Sequence, residues 1–360
     1  MGKVIFEVME KDEFEQIVYA YDKYSGLKCI VGIHNTSLGP AFGGTRMMPY
    51  ATEDDALNDV LRLAKAMTYK NAAGGINFGG GKAVIIGNPK TDKTEDLLRA
   101  FGRVIEGLGG RYITGVDVGT DEDDMVIVHQ ETKYNVALPE VYGGGGSTSA
   151  ATAYGLCYGM KTAAQSIFGE SSLKGKTISI QGVGHIGYVL AKYLKEEGAN
   201  VIVCDVDKDN LKRVTEDLNV DVVDPDKIYD LDVDIFSPCA LGGILNDNTI
   251  PRLKCKLIAG SANNQLADEL KHCKMLQDKG IAYAVDYILS VGGCINNSHQ
   301  FMGYNRERAY GQVKNNITAN IKKVFEIANE EHITTVEAAR SLAEHRMQMA
   351  INRKSWHLEK

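Results

Sequence analysis

The chain has no long hydrophobic run. None of its stretches approaches 18 consecutive apolar residues, which is the minimum for a helix that spans a bilayer. It also lacks a basic stripe with interleaved aromatic residues, and 40 Lys and Arg stand against 47 Asp and Glu for a net charge of −7. We therefore expect neither a membrane nor a nucleic acid as a partner.

Cysteine pairs and metal-binding patterns are also missing. The seven cysteines form no CxxC pair, and the eight histidines never recur at i+3 or i+4, so we predict no metal site. The beginning, MGKVIFEVMEKDEFEQ, is acidic where a secretory signal would be basic and then apolar. These absences favour a cytoplasmic protein with reduced thiols.

What the chain does have is glycine: 38 residues, where about 25 would be usual for this length. The length of 360 residues predicts two domains. Four successive glycines within GGGGSTS, residues 143–149, read as a flexible boundary between them. Beyond that boundary, segments such as TISIQGVG, VIVCDVD, DIFSPCA and KLIAGSA alternate with helices or loops, which predicts a parallel, doubly wound sheet. The predicted fold class is α/β.

Several elements can be placed from local signals. Thr52 and Asp55 form a capping box before a helix of period 3.6, and Thr334 and Glu337 form a second one near the C-terminus. The run GGINFGGGKAVII reads as a glycine loop that leads into a strand, and Glu95–Leu108 reads as a helix. RYITGVDVGTDEDD reads as a strand followed by an acidic loop.

Gly182, Gly184 and Gly187 match GxGxxG between a predicted strand and a predicted helix. Asp205 follows 18 residues after the last glycine, at the end of VIVCD. This spacing is typical of a dinucleotide site, with the pyrophosphate at the helix N-terminus and the carboxylate on a ribose 2′-OH. A carboxylate there would repel a 2′-phosphate, which favours NAD over NADP. The alternative is an ordinary βαβ crossover with a solvated aspartate.

Lys82 ends the sequence GGGK, but the segment is not a Walker A loop. That motif needs Gly at Ile76 and Ser or Thr at Ala83. A buried lysine near another lysine would have a lowered pKa and could serve as a base; the alternative is a lysine at a strand edge. Lys70 can equally be a cation in the last turn of a helix, and Asp117 can be part of a solvated acidic face.

The segments GPAFGGTRM, MTYKNAAGGINFGGGKAVIIGNP, RYITGVDVGT, QGVGHIG, SPCALGG and AGSANNQL together resemble the Glu/Leu/Phe/Val dehydrogenase family. The likeness is greatest to its leucine, phenylalanine and tryptophan dehydrogenases. It implies a substrate-binding and oligomerisation domain over residues 1–145 and a Rossmann-type NAD-binding domain over 146–330. A C-terminal helix over 331–360 would return to the first domain, a cleft would close over the substrate, and the assembly would be a homo-oligomer, commonly an octamer.

The resemblance also implies a reaction and roles. Lys82 would be the general base, assisted by Asp117, and Lys70 would pair with the substrate α-carboxylate. Hydride would leave Cα for the nicotinamide, and water would attack the resulting imine to give a 2-oxo acid and ammonia. Asn263 and Asn264 would contact the substrate carboxylate and the nicotinamide ribose. The other expected substrate contacts are Phe42, Gly43, Gly115, Cys294 and Asn297. The other expected cofactor contacts are Gly182, Val183, Gly184, His185, Ile186, Gly187, Asp205, Thr152, Cys239 and Ala240.

The side chain of the substrate is less clearly specified. Glutamate-specific relatives have lysine where Phe42 stands, and an aromatic residue there favours an apolar substrate. Gly115 resembles the phenylalanine branch and would widen the pocket, and Asn297 brings an amide that needs a partner in the substrate or a water. The segment DYILSVGGCINNSHQ departs from the family at Val285, Ser290, Val291, Cys294, Asn297, His299 and Gln300.

Three interpretations therefore stay open. The leading one is oxidative deamination of an apolar L-amino acid, with leucine and other branched-chain substrates favoured. An aromatic substrate, phenylalanine or tryptophan, is the alternative within the family. An NAD-binding homologue without turnover is the alternative of another class; the altered residues 285–300 motivate it, and the retained Lys70, Lys82 and Asp117 count against it.

Overall fold

A computed structural model describes residues 5–358, whose contacts form two compact units. The first unit comprises the chain up to Gly146, Asn297–Asn305 and the chain from Ala343 onward. The second comprises Ser147–Asn296 and Arg306–Leu342. This partition is more interwoven than the predicted three consecutive segments. Residues 297–305 belong to the first unit, and the predicted C-terminal segment 331–360 is shared between both.

The elements of the first unit are α1 (Ile5–Asp12), β1 (Gln16–Tyr21), β2 (Lys28–Asn35), β3 (Ala41–Phe42), β4 (Thr45–Met48), α2 (Glu53–Ala73), β5 (Gly79–Ile86), α3 (Glu95–Gly107), β6 (Tyr112–Ile113) and α4 (Glu122–His129). The sheet has the order β1-β2-β5-β3-β6, and β4 pairs with β5 beside this path. The β1/β2 and β2/β5 pairs are antiparallel, whereas β3 and β4 run parallel to β5. The sheet is therefore mixed.

Alternation along the strands divides the core of this unit into two layers. Ile30 of β2 and Val84 of β5 pack with α2 residues such as Val60. The neighbouring Val31 and Ile85 pack on the opposite face with residues of α3 and α4. Because successive strand residues point to opposite faces, Lys82 lies on the α2 face together with Val84.

The predicted glycine loop is present only as the turn at Gly74 and Gly75; the glycines of GGGK lie in strand β5, so for them the prediction is wrong. The physical reason is close packing. A Cβ on Gly80 would lie 2.0 Å from Thr68 Oγ1 and 2.2 Å from the Thr68 backbone nitrogen, so α2 can approach the strand only because side chains are missing. The predicted acidic loop is also wrong in part: Asp121 and Asp124 form a capping box that begins α4.

The elements of the second unit are α5 (Thr148–Phe168), β7 (Thr177–Gln181), α6 (His185–Glu196), β8 (Asn200–Cys204), α7 (Lys208–Leu218), β9 (Asp221–Val222), β10 (Ile235–Pro238), β11 (Leu257–Ile258), α8 (Glu269–Asp278), β12 (Ala282–Tyr283), α9 (Asp286–Leu289), α10 (Gly292–Ser298) and α11 (Arg306–Glu331). The last two residues of α10 are counted with the first unit. The sheet has the order β12-β11-β10-β7-β8-β9, and all pairs are parallel. The predicted doubly wound parallel sheet is confirmed.

The last helix, α12 (Thr335–Leu358), belongs to both units. The predicted Thr334–Glu337 capping box precedes it, with Thr334 N donating to Glu337 Oε2 at 2.9 Å. Its first turn stays with the second unit, because Thr335 Oγ1 donates to Tyr283 O at 2.8 Å. Further along, Arg346 Nη1 donates to Ala72 O at the end of α2, at 2.9 Å.

The four glycines at the unit boundary form a packed turn and not a loose spacer. Gly143 and Gly146 have φ of +78° and +62°, in the left-handed region. A Cβ on Gly144 would lie 1.7 Å from Leu138 O. The interpretation of this stretch as a flexible linker is therefore wrong.

Across residues 5–358, no helix combines the length and the apolar character that crossing a bilayer would need.

Candidate active site

Lys82 is a buried cation at the centre of the first unit. Only 7% of its side chain is exposed, and β5 presents it on the face that α2 covers. Its Nζ lies 3.0 Å from Asp117 Oδ2. Sequence alone left a strand-edge surface lysine open; burial and pairing with a carboxylate exclude that reading.

The loop that carries Asp117 is fixed to strand β4. Met47 N donates to Val118 O at 2.9 Å, and Thr120 Oγ1 donates to Thr45 O at 2.8 Å. The Thr120 hydroxyl also accepts the Asp117 backbone N–H at 3.0 Å. These bonds hold the carboxylate beside Lys82, so Asp117 is not part of a solvated acidic face.

Asp117 has a second cationic partner that the sequence did not reveal. Arg46 Nε donates to Asp117 Oδ2 at 2.9 Å. Burial by itself would raise the pKa of Asp117, but the charges and hydrogen bonds of Lys82 and Arg46 outweigh it, and the pKa lies below its usual value. The carboxyl group is therefore ionised at neutral pH and acts as an anion beside two cations.

Lys70 lies in the last turn of α2, the helix that packs on the Lys82 face of β5. Helix α2 also lies very close to the sheet at Gly43. A Cβ on Gly43 would lie 2.0 Å from Gly81 O and 3.1 Å from Met67 Cγ, so the predicted substrate contact Gly43 is wedged between β5 and α2. Its carbonyl accepts the Tyr112 hydroxyl at 2.6 Å.

Phe42 is buried and begins a row of aromatic rings within the first unit. Its ring centroid lies 5.2 Å from that of Phe78, which lies 6.2 Å from that of Phe301. Phe301 is 41% exposed, so the row ends at the surface of this unit. Apolar rings and not a cation occupy the position where glutamate-specific relatives would have lysine.

Gly115 does not face open space. A Cβ built on it would lie 3.0 Å from Val136 Cγ2. A methyl group at this position would press on Val136 before it reached any cavity. The side chain that a larger residue at position 115 would displace is therefore that of Val136.

The glycine-rich turn of the second unit has the geometry of a phosphate cradle. A Cβ on Gly187 would lie 2.0 Å from Gly182 O, which explains how closely α6 approaches the end of β7. Gly184 is the N-cap of α6 and has no side-chain cap, and a Cβ there would meet nothing within 4 Å. The backbone N–H groups of Val183, His185 and Ile186 lie in this same turn. Open space over an uncapped helix N-terminus fits a pyrophosphate.

Asp205 lies at the carboxyl end of β8, beside this turn. Its Oδ2 accepts the backbone N–H of Val183 at 2.8 Å, and its Oδ1 accepts that of Asp207 at 2.9 Å. The carboxylate is thus held in place at the glycine turn, with lone pairs left for a ribose diol. A dinucleotide with a free 2′-OH fits these residues.

The remaining predicted cofactor residues follow two other strand ends of the same parallel sheet. Cys239 and Ala240 follow β10, and a Cβ on Gly182 would lie 2.7 Å from Ala240 Cβ. Asn263 and Asn264 are exposed and follow β11. Because parallel strands share one carboxyl edge, these residues and the glycine turn lie along the same edge, where β7 and β10 form the topological switch point.

Thr152 lies on α5, and its hydroxyl has protein partners. It donates to Thr148 O at 2.8 Å and accepts Gly293 N–H at 3.2 Å. One lone pair stays available, so the predicted contact with a carboxamide would have to be as an acceptor. The helix pair α5 and α10 is close here: a Cβ on Gly292 would lie 2.4 Å from Ala151 O.

The unusual segment 285–300 is well packed. Val285 and Val291 are fully buried, and Ser290 Oγ lies 3.5 Å from Asn263 Oδ1, which it can donate to. Asn297 Oδ1 accepts a hydrogen bond from Gln300 Nε2 at 3.3 Å. The amide therefore has a partner within the protein, whereas the sequence suggested the substrate or a water. Cys294 is half-buried and not disulfide-bonded, and His299 is buried.

Sequence reasoning missed three residues that support these sites. They are Arg46, Tyr112 and Asp286. Oδ2 of Asp286 accepts the backbone N–H of Gln265 at 3.1 Å, and Gln265 follows Asn263 and Asn264 in the chain. All three lie inside motifs that the sequence displays: GGTRM, RYIT and DYI. Only their positions in three dimensions reveal what they bind.

Comparison with known proteins extends these findings. A family model described as Glu/Leu/Phe/Val dehydrogenase, dimerisation domain, matches residues 14–134. A second, described as Glutamate/Leucine/Phenylalanine/Valine dehydrogenase, matches residues 143–209 and 203–354. The chain belongs to the Glu/Leu/Phe/Val dehydrogenase family. The resemblance inferred from its motifs is confirmed.

Similar members of the Glu/Leu/Phe/Val dehydrogenase family span nearly the whole chain. A leucine dehydrogenase of Thermoactinomyces intermedius is 53% identical over 99% of this chain and 96% of its own length. A phenylalanine dehydrogenase of Lysinibacillus sphaericus is 50% identical over 90% of this chain and 86% of its own. The crystal structure of L-tryptophan dehydrogenase from Nostoc punctiforme aligns with a TM-score of 0.86 at 44% identity, covering 97% of this chain and 100% of that one.

Proposed function

We propose that this chain is an NAD-dependent dehydrogenase that oxidatively deaminates an apolar L-amino acid to the 2-oxo acid and ammonia. The observation that carries the proposal is the buried Lys82 beside the ionised Asp117, 3.0 Å apart. Leucine and other branched-chain amino acids are the favoured substrates. The identity of 53% to a leucine dehydrogenase supports this choice.

Lys82 is the general base of the proposed mechanism. Its neutral amine takes a proton from the substrate ammonium group and releases it to solvent. The neutral amine then takes a proton from the water that attacks the imine carbon. Asp117 holds the amine in position and stabilises the ammonium form after each proton transfer. Lys70 pairs with the substrate α-carboxylate, and Asn263 donates a hydrogen bond to the same group.

The second unit supplies the cofactor site. We propose that the turn Gly182–Gly187 holds a pyrophosphate and Asp205 a ribose 2′-OH, with Thr152, Cys239, Ala240 and Asn264 along the nicotinamide end. When bound, the nicotinamide accepts the hydride from the substrate Cα. The carboxylate at residue 205 disfavours a 2′-phosphate and so selects NAD.

The aromatic row from Phe42 supports an apolar substrate. A side-chain carboxylate of the substrate beside buried rings would lose its hydration without gaining a cation. Burying an unpaired ion in this way costs on the order of several kcal/mol. Gly43, Gly115, Cys294 and Asn297 are the other proposed substrate contacts. Phenylalanine or tryptophan is the second candidate, and the 50% identity to a phenylalanine dehydrogenase favours it.

We also propose a cytoplasmic homo-oligomer, with an octamer as the family expectation. All seven cysteines are free, which suits a reducing compartment. The description of the first family model as a dimerisation domain supports oligomerisation. Light scattering of the purified protein would measure the number of subunits.

One assay tests the proposed activity. Reduction of NAD is measured with leucine, valine, phenylalanine, tryptophan and glutamate, and leucine or valine is expected to give the highest kcat/KM. Turnover of glutamate alone would show that the inference from Phe42 is wrong. NADH binding without turnover of any of the five in either direction would identify a homologue without activity.

A matched pair of variants tests Lys82. Lys82→Ala is expected to lower kcat by about 10²–10⁴ and to leave NADH affinity unchanged. Lys65→Ala is the control, because Lys65 is also paired with an aspartate, Asp12, at 2.8 Å, but lies on the outer part of α2. Lys65→Ala should keep the wild-type rate. A Lys82→Ala enzyme at near-full rate would remove Lys82 from the mechanism.

A further inference from the structure

Arg46 lies at the centre of an alternating row of charges in the first unit. Its Nε donates to Asp117 Oδ2 at 2.9 Å, and its Nη1 donates to Asp59 Oδ2 at 3.0 Å. Asp59 in turn accepts the Tyr50 hydroxyl at 2.7 Å and Arg62 Nη2 at 2.9 Å. Strand pairing explains this placement: Arg46 of β4 lies opposite Val84 of β5, so both point toward α2, which carries Asp59.

Arg46 and Lys82 share a single oxygen of Asp117. Both cations contact Oδ2, at 2.9 Å and 3.0 Å, whereas Oδ1 has no hydrogen-bond partner among the residues that the structure describes. A guanidinium held by two carboxylates is fixed in orientation, because its planar fork cannot rotate without breaking one of the bonds. The carboxylate of Asp117 is thereby turned so that Oδ1 is available to another donor.

A base that works beside an aspartate has an electrostatic problem. When Lys82 gives up its proton, Asp117 loses a positive neighbour in a poorly solvated place and would itself tend to take a proton. Arg46 stays charged at any pH at which the protein is folded. It can therefore neutralise Asp117 in the state in which Lys82 is neutral.

We propose that Arg46 is a positioning residue that anchors Oδ2 of Asp117 and keeps this carboxylate charged while Lys82 acts as the base. This inference rests on the proposed role of Lys82. Arg46 touches neither the substrate nor the cofactor in this scheme, and its effect reaches the reaction through Asp117 and Lys82. The second oxygen, Oδ1, is left to accept a hydrogen bond from the amino group of the substrate.

The charges near Lys82 give the sign of the effect. Asp117, on the loop after β6, interacts directly with Lys82 and also with Arg46 of β4. Arg46 in turn interacts with Asp59 of α2, which accepts the Tyr50 hydroxyl. Tyr112 of β6 lies near Asp117. If the Arg46 charge is removed, Lys82 is the cation that remains in contact with Asp117, and it interacts more strongly with this carboxylate. Lys82 then holds its proton to higher pH, so deamination begins at higher pH.

The test is the pH profile of kcat/KM for deamination, whose acidic limb reports the group that must lose a proton. Arg46→Gln is expected to move this limb upward by about one pH unit, as one charge a few ångströms away does. Arg46→Lys, which keeps the charge, should keep the wild-type limb although its kcat falls. The ionisation of the substrate is the same for all variants and cancels in the comparison.

Arg62→Gln is the matched control. It removes the same charge, but Arg62 contacts Oδ1 of Asp59, the oxygen that Arg46 does not contact, and its side chain is 55% exposed. Its limb should coincide with that of the wild type. Three results would each overturn the proposal. The acidic limb of Arg46→Gln could stay where it is in the wild type, the limb of Arg46→Lys could move as far as that of Arg46→Gln, or the limb of Arg62→Gln could move equally far.

Asp59→Asn provides a second test that does not depend on the recovery of folded Arg46→Gln. It removes a negative charge next to Arg46, so the limb is expected to move the other way, to lower pH, by less than one unit. No shift, or a shift upward, would contradict the inference. If Lys82→Ala keeps the wild-type kcat, the proposed function of Lys82 is wrong. If Lys82→Ala is inactive but the acidic limb of Arg46→Gln coincides with that of the wild type, only the inference on Arg46 is wrong.

Discussion

Two glycines of one turn are expected to respond in opposite ways to the same substitution. At Gly187, an alanine Cβ would lie 2.0 Å from Gly182 O, so strand end and helix must move apart by about 1 Å to restore a normal contact. Overpacking of this kind costs about 1–3 kcal/mol. In a unit of this size each kcal/mol lowers Tm by roughly 2–4 °C.

At Gly184, an alanine Cβ would meet nothing within 4 Å, so no neighbouring atom has to move. Gly184→Ala should therefore lower Tm by less than Gly187→Ala does. Its methyl group, however, would project into the space that we assign to the pyrophosphate. NADH affinity is expected to fall about tenfold or more, because backbone N–H groups can no longer approach the phosphates.

The assays are differential scanning fluorimetry without cofactor and titration of NADH fluorescence. Gly311→Ala is the control within the same unit, because Gly311 lies inside α11 with nothing within 4 Å of a built Cβ. It should raise stability by about 0.5–1 kcal/mol and leave NADH binding unchanged. If Gly184→Ala bound NADH as tightly as the wild type, the assignment of this turn to the pyrophosphate would be refuted.

Two further predictions concern the first unit. Arg346→Met removes the hydrogen bond to Ala72 O at 2.9 Å at the end of α2, a charge-assisted bond worth about 1.5–3 kcal/mol. Hydrogen exchange over residues 343–353 should become faster, and unchanged protection would show that Arg346 does not anchor the helix. The lowered pKa of Asp117 implies that its stabilising contribution is complete above its usual pKa of 3.8 and is lost as the pH falls through the lower value in the folded protein. The loss of urea stability in Asp117→Asn should therefore shrink between pH 7 and pH 3, and a constant difference would contradict this linkage.

Much of the second unit could be predicted from sequence because each of its signals is local. A strand, a glycine turn and a helix follow one another in TISIQGVGHIG, and the hydrogen bond from Val183 N to Asp205 Oδ2 joins the two parts of the predicted motif. Capping boxes are equally local, and those at Thr52 and Thr334 are both present. Such features involve residues within a few positions of each other, so the pattern contains the geometry.

The first unit was harder to predict because its decisive contacts are distant in sequence. Gly79–Gly81 look like a loop by composition, yet α2 covers them and they form a strand. Asp117 looks like one acid among several, and only pairing across β4 and β5 places it between Lys82 and Arg46. No local signal distinguishes an arginine that contacts two carboxylates from one on the surface.

The path of the chain has a consequence for biosynthesis. The first unit contains residues up to Gly146 and the part of α12 that begins at Ala343, and the whole of the second unit's sequence, which residues 297–305 interrupt, lies between them. Domains generally fold as they emerge, N-terminal part first. Here most of the first unit emerges before the second unit, but the part of α12 that completes the first unit is made after residue 342, the last residue of the second unit. The earlier-made unit is therefore the one completed later, and a nascent or C-terminally truncated chain would expose the end of α2 that Arg346 covers in the mature fold.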